Sequence, residues 1–337
     1  LFNLVLHVGE QAWFLLFAIC FLFLVICFLV LFLCYLRRKQ HPRLMLHASL
    51  LEHLQQRFTD FFSSSTSIHQ YKIVQGGDTN RCFMLETNKG SFFIKVNASI
   101  FGLDMFEKEA RGLIQLADTG VIKVPRPLFD GKFNQQIFLV TEYIEPGQPA
   151  PDFWENFGRS LSQLHYNNAQ QFGLNSNNYI GKLAQSNRQH NLWPDFYGEE
   201  RILPLVRKAN EKGMLDEENL SATEIICNKL HNIFPEEQPS LLHGDLWSGN
   251  FIAGANGQAA IFDPAIYYGN REMDIAMSLL FGGFDPQFYE AYQHHFPLQP
   301  NWRQRVALCQ LYPLLVHLLL FGGSYRERVV EILNQYK

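Results

Sequence analysis

The chain has 337 residues and a formal net charge of −4 at pH 7, and 47% of its residues are hydrophobic. This length is enough for two domains or for one bilobal enzyme with a sizeable core. The mildly acidic balance argues against a nucleic-acid partner held by a broad basic surface, and six cysteines without paired spacing argue against a disulfide framework or a zinc site.

The first element in chain order is a long apolar stretch. Residues 11–36 contain no charge and are mostly Phe, Leu, Ile or Val, so we predict a transmembrane helix there. Residues 37–39 are all basic, and the positive-inside rule then places the chain that follows in the cytoplasm. The alternative is that residues 1–44 are an upstream extension that the working protein lacks, because Met45 is the first methionine.

A region of mixed strands and helices follows. Apolar residues at helical spacing predict helices, and short apolar runs bounded by Gly or Asn turns predict strands. The predicted elements are a helix over 49–62, strands over 68–74, 81–87 and 91–97, a helix over 104–117, and a hairpin with strands over 127–129 and 137–143. Together they predict a β-rich N-terminal lobe over residues 45–145.

The remaining chain, residues 146–337, has a mainly helical pattern. A short β-rich patch over residues 241–263 interrupts it. The predicted helices lie over 153–165, 199–210, 222–233, 272–280, 286–294 and 302–320. This part of the chain predicts a larger, helical C-terminal lobe.

The most informative motif is His243-Gly244-Asp245-Leu246-Trp247-Ser248-Gly249-Asn250. It matches the catalytic-loop pattern of kinases, in which His, Asp and Asn stand at fixed separations. In this pattern Asp245 accepts or orients the proton of the attacking hydroxyl group, and the amide oxygen of Asn250 binds Mg²⁺. A short apolar strand then ends at Asp263, whose carboxylate can hold Mg²⁺ between the β- and γ-phosphates of ATP.

A second set of residues lies in the predicted N-terminal lobe. Lys95 lies on an apolar strand and Glu109 on the following helix, which is the arrangement of the ion pair that positions the α- and β-phosphates in kinases. Glu107 is the alternative partner, and we prefer Glu109 because it lies beside the apolar face of the helix. Gly76 and Gly77 form a turn one hairpin earlier, where backbone N–H groups can cradle phosphate oxygens.

Each signal also has a simpler structural interpretation. A lone His-Gly-Asp is usually a turn, a lone Asp-Pro usually begins a helix or a loop, and a strand lysine is usually a solvated edge residue. The complete series in kinase order is much harder to obtain by chance. It predicts an α+β, bilobal protein-kinase-like fold with a small β-rich N-terminal lobe and a larger helical C-terminal lobe.

The fuller strings resemble the fructosamine (ketosamine) kinase family, which shares its His-Gly-Asp motif with aminoglycoside phosphotransferases and choline-type kinases. The similar strings are residues 93–97, 105–110, 241–250, 262–276, 280–284 and 321–325. The resemblance implies ATP-dependent phosphorylation of the 3-hydroxyl of a ketosamine, a sugar joined to an amine through an Amadori linkage, followed by release of the amine. The implied partners are ATP, Mg²⁺ and either a small ketosamine or a glycated protein lysine.

Family analogy also implies roles for single residues. Asp245 is the catalytic base, Asn250 and Asp263 are the metal ligands, and Lys95 with Glu109 positions ATP. Glu142, Tyr143 and Ile144 resemble the hinge that binds adenine, so that residues 45–145 bind ATP and residues 146–337 carry catalysis and substrate binding.

The resemblance gives less definite roles to three further residues. Trp247 walls the sugar pocket or is a core tryptophan. Asp274 braces the catalytic loop. Cys82 follows the Gly turn, where some relatives have a redox-responsive cysteine, but we expect an inert strand thiol because the positions match only loosely.

The sequence departs from the family pattern at two places, and two other functions are therefore kept open. The apolar N-terminus has no counterpart in the usual soluble members, and Pro313, Val316 and Leu319 stand where relatives tend to have His or Asn. The second departure leaves the preferred ketosamine undetermined. The alternatives are another phosphotransferase of the aminoglycoside or choline kinase type, or a membrane-anchored pseudokinase, which would be expected to have lost a catalytic residue.

Overall fold

The computed structural model describes residues 45–74, 80–98 and 102–337. The predicted span at 11–36 and the predicted phosphate-binding turn at Gly76 and Gly77 lie outside the described residues. The chain divides into two compact units, residues 1–60 and 61–337, and the second unit contains the sheet and the candidate site. Helix α1 (Ala48–Phe62) begins in the first unit. Its buried residues, Leu50, Leu54 and Phe58, are four apart and therefore lie on one face of the helix.

A five-stranded antiparallel sheet forms the N-terminal part of the second unit, with strand order β1-β2-β3-β5-β4. Its strands are β1 (Ile68–Val74), β2 (Arg81–Thr87), β3 (Gly90–Asn97), β4 (Pro127–Phe133) and β5 (Gln136–Glu142). Helix α2 (Gly102–Asp118) packs on this sheet. Phe106 and Ala110 of α2, four residues apart, form a core cluster with Ile137 and Leu139 of β5, so Glu109 is carried beside a buried face.

The C-terminal part is mainly helical and contains three short two-stranded sheets. Its helices are α3 (Phe153–His165), α4 (Trp193–Phe196), α5 (Leu203–Glu211), α6 (Glu217–Ile233), α7 (Glu272–Leu279), α8 (Pro286–His295), α9 (Trp302–Phe321) and α10 (Arg326–Tyr336). Its strands are β6 (Asn178–Ile180), β7 (Leu183–Gln185), β8 (Ser240–Leu242), β9 (Phe251–Ala253), β10 (Ala259–Ile261) and β11 (Tyr267–Gly269). The boundary between lobes at residues 145 and 146 stays a prediction.

Helix α9 is the one helix of the described residues that is long and apolar enough to cross a membrane by length and composition. Its most apolar stretch is 67% buried within the protein. Leu308, Leu311, Leu315 and Leu318 of α9 belong to the largest core cluster, together with residues of α5, α6 and α10. Its hydrophobicity is therefore that of a core helix.

The predicted helix over 199–210 differs from the structure. A π-helical turn, Tyr197–Ile202, leads into α5. Pro204 has no N–H group to donate to the carbonyl of Glu200, four residues earlier, and that carbonyl instead accepts a hydrogen bond from the Arg201 guanidinium at 3.2 Å. The proline therefore interrupts the regular helical ladder at this point.

Candidate active site

Lys95 lies near the end of β3 and is 5% exposed. Its Nζ lies 2.6 Å from Oε1 of Glu109 and also contacts Oδ1 of Asp263. Of the two glutamates considered in the sequence, Glu109 is the one that pairs with Lys95. Burial alone would lower the pKa of Lys95, but the charges of Asp263 and Glu109 outweigh it and raise that pKa, so the lysine stays charged.

Glu109 and Asp263 contact this lysine from different parts of the second unit, Glu109 from the helix packed on the sheet and Asp263 from the helical part. Glu109 belongs to α2, and burial together with the charge of Asp263 raises the pKa of Glu109 despite the nearby lysine. Asp263 follows β10 and has a φ of 56°, in the left-handed region that costs a non-glycine residue about 1–2 kcal/mol. Strained backbone of this kind is concentrated at functional sites.

The loop after β8 carries Asp245 and Asn250. The side-chain Nδ2 of Asn250 donates to the backbone carbonyl of Asp245 at 2.8 Å and to its Oδ2 at 3.0 Å. With this nitrogen committed, the amide oxygen is the atom that Asn250 can offer to a cation. Burial raises the pKa of Asp245 to about 7, although the hydrogen bond from Asn250 opposes the change.

Hydrogen bonds to Asp274 of α7 hold the same loop in place. This buried carboxylate accepts hydrogen bonds from the backbone N–H groups of His243 at 2.7 Å and Gly244 at 2.9 Å, and from Nε2 of His165 at 3.2 Å. Burial would raise the pKa of Asp274, but the hydrogen bond from His165 and the nearby imidazoles lower it below its usual value. Asp274 therefore braces the loop, as the sequence indicates.

His243 links this loop to the strand that delivers Asp263. Its Nε2 donates to the backbone carbonyl of Phe262 at 2.9 Å, and its Nδ1 accepts the backbone N–H of Asp245 at 3.3 Å. Burial lowers the pKa of His243, which favours the neutral ring that this donor–acceptor pattern requires. The backbone N–H of Phe262 also donates to the carbonyl of Asn250 at 3.0 Å, so the two loops are fixed together.

A cavity of about 760 Å³ lies between the sheet and the helical part of the second unit. Every described residue to which the sequence assigns a catalytic, nucleotide, metal or substrate role lines it: Lys95, Glu109, Glu142, Tyr143, Ile144, Asp245, Trp247, Asn250 and Asp263. Val74 and Asn80, which flank the undescribed Gly76 and Gly77, line it too. The cavity therefore brings together side chains that lie far apart in the sequence.

Three further assignments can be compared with the structure. Trp247 is half-buried and lines the cavity instead of the core, and its ring centroid lies 5.8 Å from that of Phe281. Cys82 is 4% exposed, and burial raises the pKa of its thiol to about 11, as expected for an inert strand thiol. The carboxylate of Glu142 accepts from Nζ of Lys123 at 2.7 Å, so the backbone of the predicted hinge is the part that can face a ligand.

Other cavity residues were given no site role by the sequence motifs, notably Tyr179 of β6 and His317, Leu320 and Phe321 of α9. Of the three residues at which the sequence departs from the family pattern, Val316 lines the cavity, while Pro313 and Leu319 are buried and do not. Phe321 belongs to the family-like string over 321–325, whose Phe-Gly-Gly repeats that of residues 281–283, but the string gave it no role.

Comparison with known sequences gives consistent matches over nearly the whole described chain. The family model described as fructosamine kinase matches residues 50–337. A Vibrio parahaemolyticus protein named as a ketoamine kinase is 38% identical over 280 residues, covering 81% of this chain and 96% of the relative. An Arabidopsis thaliana protein named protein-ribulosamine 3-kinase, chloroplastic, is 36% identical over 278 residues, covering 81% of this chain and 84% of the relative.

Comparison with solved structures gives the fold. A Haemophilus somnus crystal structure named as a fructosamine-3-kinase aligns with a TM-score of 0.76 and 28% identity, over 84% of this chain and 96% of that one. The aminoglycoside phosphotransferase APH(4)-Ia aligns with a TM-score of 0.57 and 15% identity, over 84% and 98% of the two chains. The predicted α+β, protein-kinase-like fold is confirmed.

Proposed function

Since the chain belongs to the fructosamine kinase family, we propose that it phosphorylates a sugar hydroxyl group of a ketosamine with ATP as the phosphoryl donor. The observation that carries this proposal is the meeting of Lys95, Asp245, Asn250 and Asp263 around one cavity. The relatives named as ketoamine kinase and protein-ribulosamine 3-kinase support a ketosamine acceptor and its 3-hydroxyl.

In the proposed reaction the substrate hydroxyl oxygen attacks the γ-phosphorus of ATP, and the bond from that phosphorus to the bridging β,γ-oxygen breaks, so that ADP leaves. The hydroxyl proton passes to the carboxylate of Asp245. The hydrogen bond from Asn250 holds Oδ2 of Asp245 in one orientation, which reduces the cost of aligning the base with the hydroxyl group. Asp274 fixes the loop backbone beneath Asp245.

Binding of the nucleotide is assigned to the sheet side of the cavity. The Lys95 ammonium contacts the α- and β-phosphates, and Glu109 holds it in position through the 2.6 Å ion pair. Backbone groups of Glu142, Tyr143 and Ile144 bind adenine, and the Gly76-Gly77 turn, which lies outside the described residues, covers the phosphates.

The donor set at the base of the cavity fits Mg²⁺, which prefers oxygen ligands. Asn250 offers an amide oxygen because its nitrogen is bound to Asp245, and Asp263 offers a carboxylate held beside it by the Phe262–Asn250 hydrogen bond. When bound there, Mg²⁺ would neutralise charge on the β- and γ-phosphates.

The purified chain, supplied with ATP and Mg²⁺, is expected to form ADP and a ketosamine phosphate from a ribulosamine or a fructosamine. A panel that also contains an aminoglycoside and choline tests the alternatives. Turnover of an aminoglycoside or choline without any ketosamine would assign the chain to a sister kinase class. A folded protein without turnover of any acceptor would favour the pseudokinase alternative.

Two further proposals concern the kind of acceptor and the location of the protein in the cell. Both free ketosamines and glycated lysine side chains are proposed acceptors, and comparing a small fructosamine with a glycated peptide distinguishes them. A cytoplasmic catalytic part attached to a membrane through residues 11–36 rests on sequence alone, and fractionation of cells that express the full chain tests it.

A further inference from the structure

Beside the catalytic loop, rings form a continuous group that also contacts Tyr325. Four of them, which we call the aromatic group, are Trp247, Phe281, His317 and Phe321. Ring centroids are 5.8 Å apart for Trp247 and Phe281, 4.8 Å for Phe281 and His317, and 5.5 Å for His317 and Phe321. Trp247, His317 and Phe321 line the cavity that also contains Asp245. The group therefore extends from the proposed base towards the outside of the molecule.

Two of these rings are presented to solvent. Phe281 is 39% exposed and Phe321 is 50% exposed, although a large apolar ring gains free energy by being buried. Phe281 also has a φ of 57°, a left-handed conformation that is unfavourable for any residue with a side chain, and Gly282 and Gly283 follow with φ of 103° and 76°. Phe321 lines the cavity, and Phe281 packs against the cavity residues Trp247 and His317 without lining the cavity itself. Strain and exposure beside a cavity indicate a binding role for the rings.

His317 adds a polar atom to this group. Its Nδ1 lies 2.7 Å from the backbone carbonyl of Pro313, which can only accept, so Nδ1 carries the hydrogen. Burial lowers the pKa of His317 and favours the neutral ring, and Nε2 is then a hydrogen-bond acceptor. The aromatic group thus combines π faces with one acceptor and no positive charge of its own.

We propose that the aromatic group binds the protonated secondary amine of the ketosamine, with π faces around the cation and Nε2 of His317 accepting its N–H. This inference rests on the proposed function. The amine nitrogen of a ketosamine is separated from the reacting hydroxyl by a short run of carbon atoms, so it lies close to Asp245 when the hydroxyl does. Cations are attracted to aromatic faces, and Trp gives the strongest attraction.

The arrangement also sets the direction of the amine substituent. The sugar then lies at Asp245 and the nitrogen beside Trp247. The substituent on the other side of the nitrogen continues over Phe281 and Phe321, the two exposed rings. Val316 and Leu320 of α9, which line the same wall, offer apolar contact to its methylene groups. The subsite would therefore favour amines carried on an aliphatic chain.

The test compares two substrates that differ only at the amine. One is a ketosamine with an alkyl amine, and the other is the neutral ether in which an oxygen atom replaces the protonated nitrogen. The wild-type chain is expected to have a kcat/KM at least about tenfold higher for the amine, because each cation–π contact contributes a factor of about 3 to 30. Equal values for amine and ether would overturn the subsite while leaving the proposed function intact.

Asp245 also attracts a cation, so variants of the rings are needed to assign the preference. Phe281→Leu and Phe321→Leu keep apolar bulk but remove the π face, and each is expected to lower the amine-to-ether ratio of kcat/KM about 3- to 30-fold, because the ether shares every contact except the one made by the cation. Both side chains are exposed enough for the variants to fold, and each serves as a check on the other. His317→Phe, which keeps a ring but removes Nε2, is expected to lower the ratio about tenfold.

Phe61→Leu is the matched control, because Phe61 is also 50% exposed but its ring packs against Phe62 and Phe129 instead of against the aromatic group. Its amine-to-ether ratio is expected to stay within about twofold of the wild type. An unchanged ratio in both Phe281→Leu and Phe321→Leu would overturn the amine subsite. If the wild-type chain turned over no ketosamine at all, the proposed function would be refuted, and this inference would be refuted with it.

Discussion

At the scale of single residues, Lys95 has the most demanding surroundings, since a nearly buried ammonium group contacts two carboxylates. Lys95→Met keeps the length of the side chain but leaves Glu109 and Asp263 as neighbouring, unpaired acids. Removing one partner of a buried ion pair costs about 3–5 kcal/mol in the free energy of unfolding. Loss of a charge-assisted phosphate contact is also expected to raise the KM for ATP about 10- to 100-fold.

Urea unfolding and the dependence of rate on ATP concentration check this prediction. The double variant Lys95→Met/Glu109→Gln is the control, because it removes one of the two unpaired acids. It is expected to be more stable than Lys95→Met alone and to keep the high KM. If the loss in free energy of unfolding in the double variant equalled the sum of the losses in the two single variants, Lys95 and Glu109 would not act as a pair.

For Asp245 the prediction concerns chemistry rather than binding. Asp245→Asn keeps the shape of the side chain but removes the proton acceptor, and kcat is expected to fall about 10²- to 10⁴-fold while the KM for ATP changes little. Steady-state kinetics with a ketosamine measures both. Asp118→Asn, which removes an exposed carboxylate paired with Arg126, is expected to leave kcat unchanged. A similar loss of kcat in both variants would remove Asp245 from its proposed role.

The predictability of these residues depends on how local their signals are. Asp245 and Asn250 share one loop, and Glu109 lies beside an apolar helix face, so sequence spacing is enough to indicate them. The contact of Lys95 with Asp263 joins residues 168 positions apart, and it could be inferred only through a kinase pattern. His317 and Phe321 belong to a helix that is apolar on nearly every side, so periodicity could not show which residues face the cavity.

At the scale of secondary structure, the sequence predicted the long periodic segments more completely than the short ones. The helix predicted over 153–165 has the same bounds in the structure, and β1 and β2 also match. The three-residue strands β6, β7 and β11 have too few residues to show alternation and were missed. Their positions are determined by tertiary contacts, such as the hydrogen bond from Asn178 to the carbonyl of Ile266 at 2.8 Å.

The loop between β8 and β9 gives a prediction about backbone conformation. Gly244 has a φ of 82°, and a Cβ atom there would lie 2.1 Å from the backbone carbonyl oxygen of Ala265. Gly244→Ala must therefore displace the segment that follows Asp263 as well as adopt a left-handed conformation that costs about 1–2 kcal/mol. We expect it to be destabilising by more than that amount and to lower kcat strongly.

Gly213→Ala is the matched control for this backbone effect. Gly213 has a φ of 68°, but a Cβ atom there would meet nothing within 4 Å. Urea unfolding of Gly213→Ala should show only the left-handed penalty, about 1–2 kcal/mol, with kcat unchanged. If the two variants lost the same stability, the close approach of Ala265 would not be what requires glycine at position 244.

At the scale of the whole second unit, the cleft depends on contacts between the sheet part and the helical part. Besides the Lys95–Asp263 ion pair, the backbone N–H of Ile261 donates to the carbonyl of Lys123 at 3.0 Å. Tyr179 of β6 donates to Oδ2 of Asp104 in α2 at 2.7 Å. Because α2 also carries Glu109, a contact at its N-terminal end can influence the position of the Lys95–Glu109 pair.

The hydrogen bond between Tyr179 and Asp104 is expected to affect ATP binding. Tyr179→Phe removes one hydroxyl group, and a hydrogen bond of this kind contributes about 0.5–1.5 kcal/mol, so the KM for ATP is expected to rise about 2- to 10-fold. Asp104→Asn should have a similar effect, and the double variant should be no worse than either single variant. Tyr166→Phe, which removes an exposed hydroxyl bonded to the carbonyl of His295 at 3.2 Å, should leave the KM unchanged. Single-variant effects that multiply in the double variant would mean that Tyr179 and Asp104 affect ATP binding independently, and that the hydrogen bond between them does not position α2.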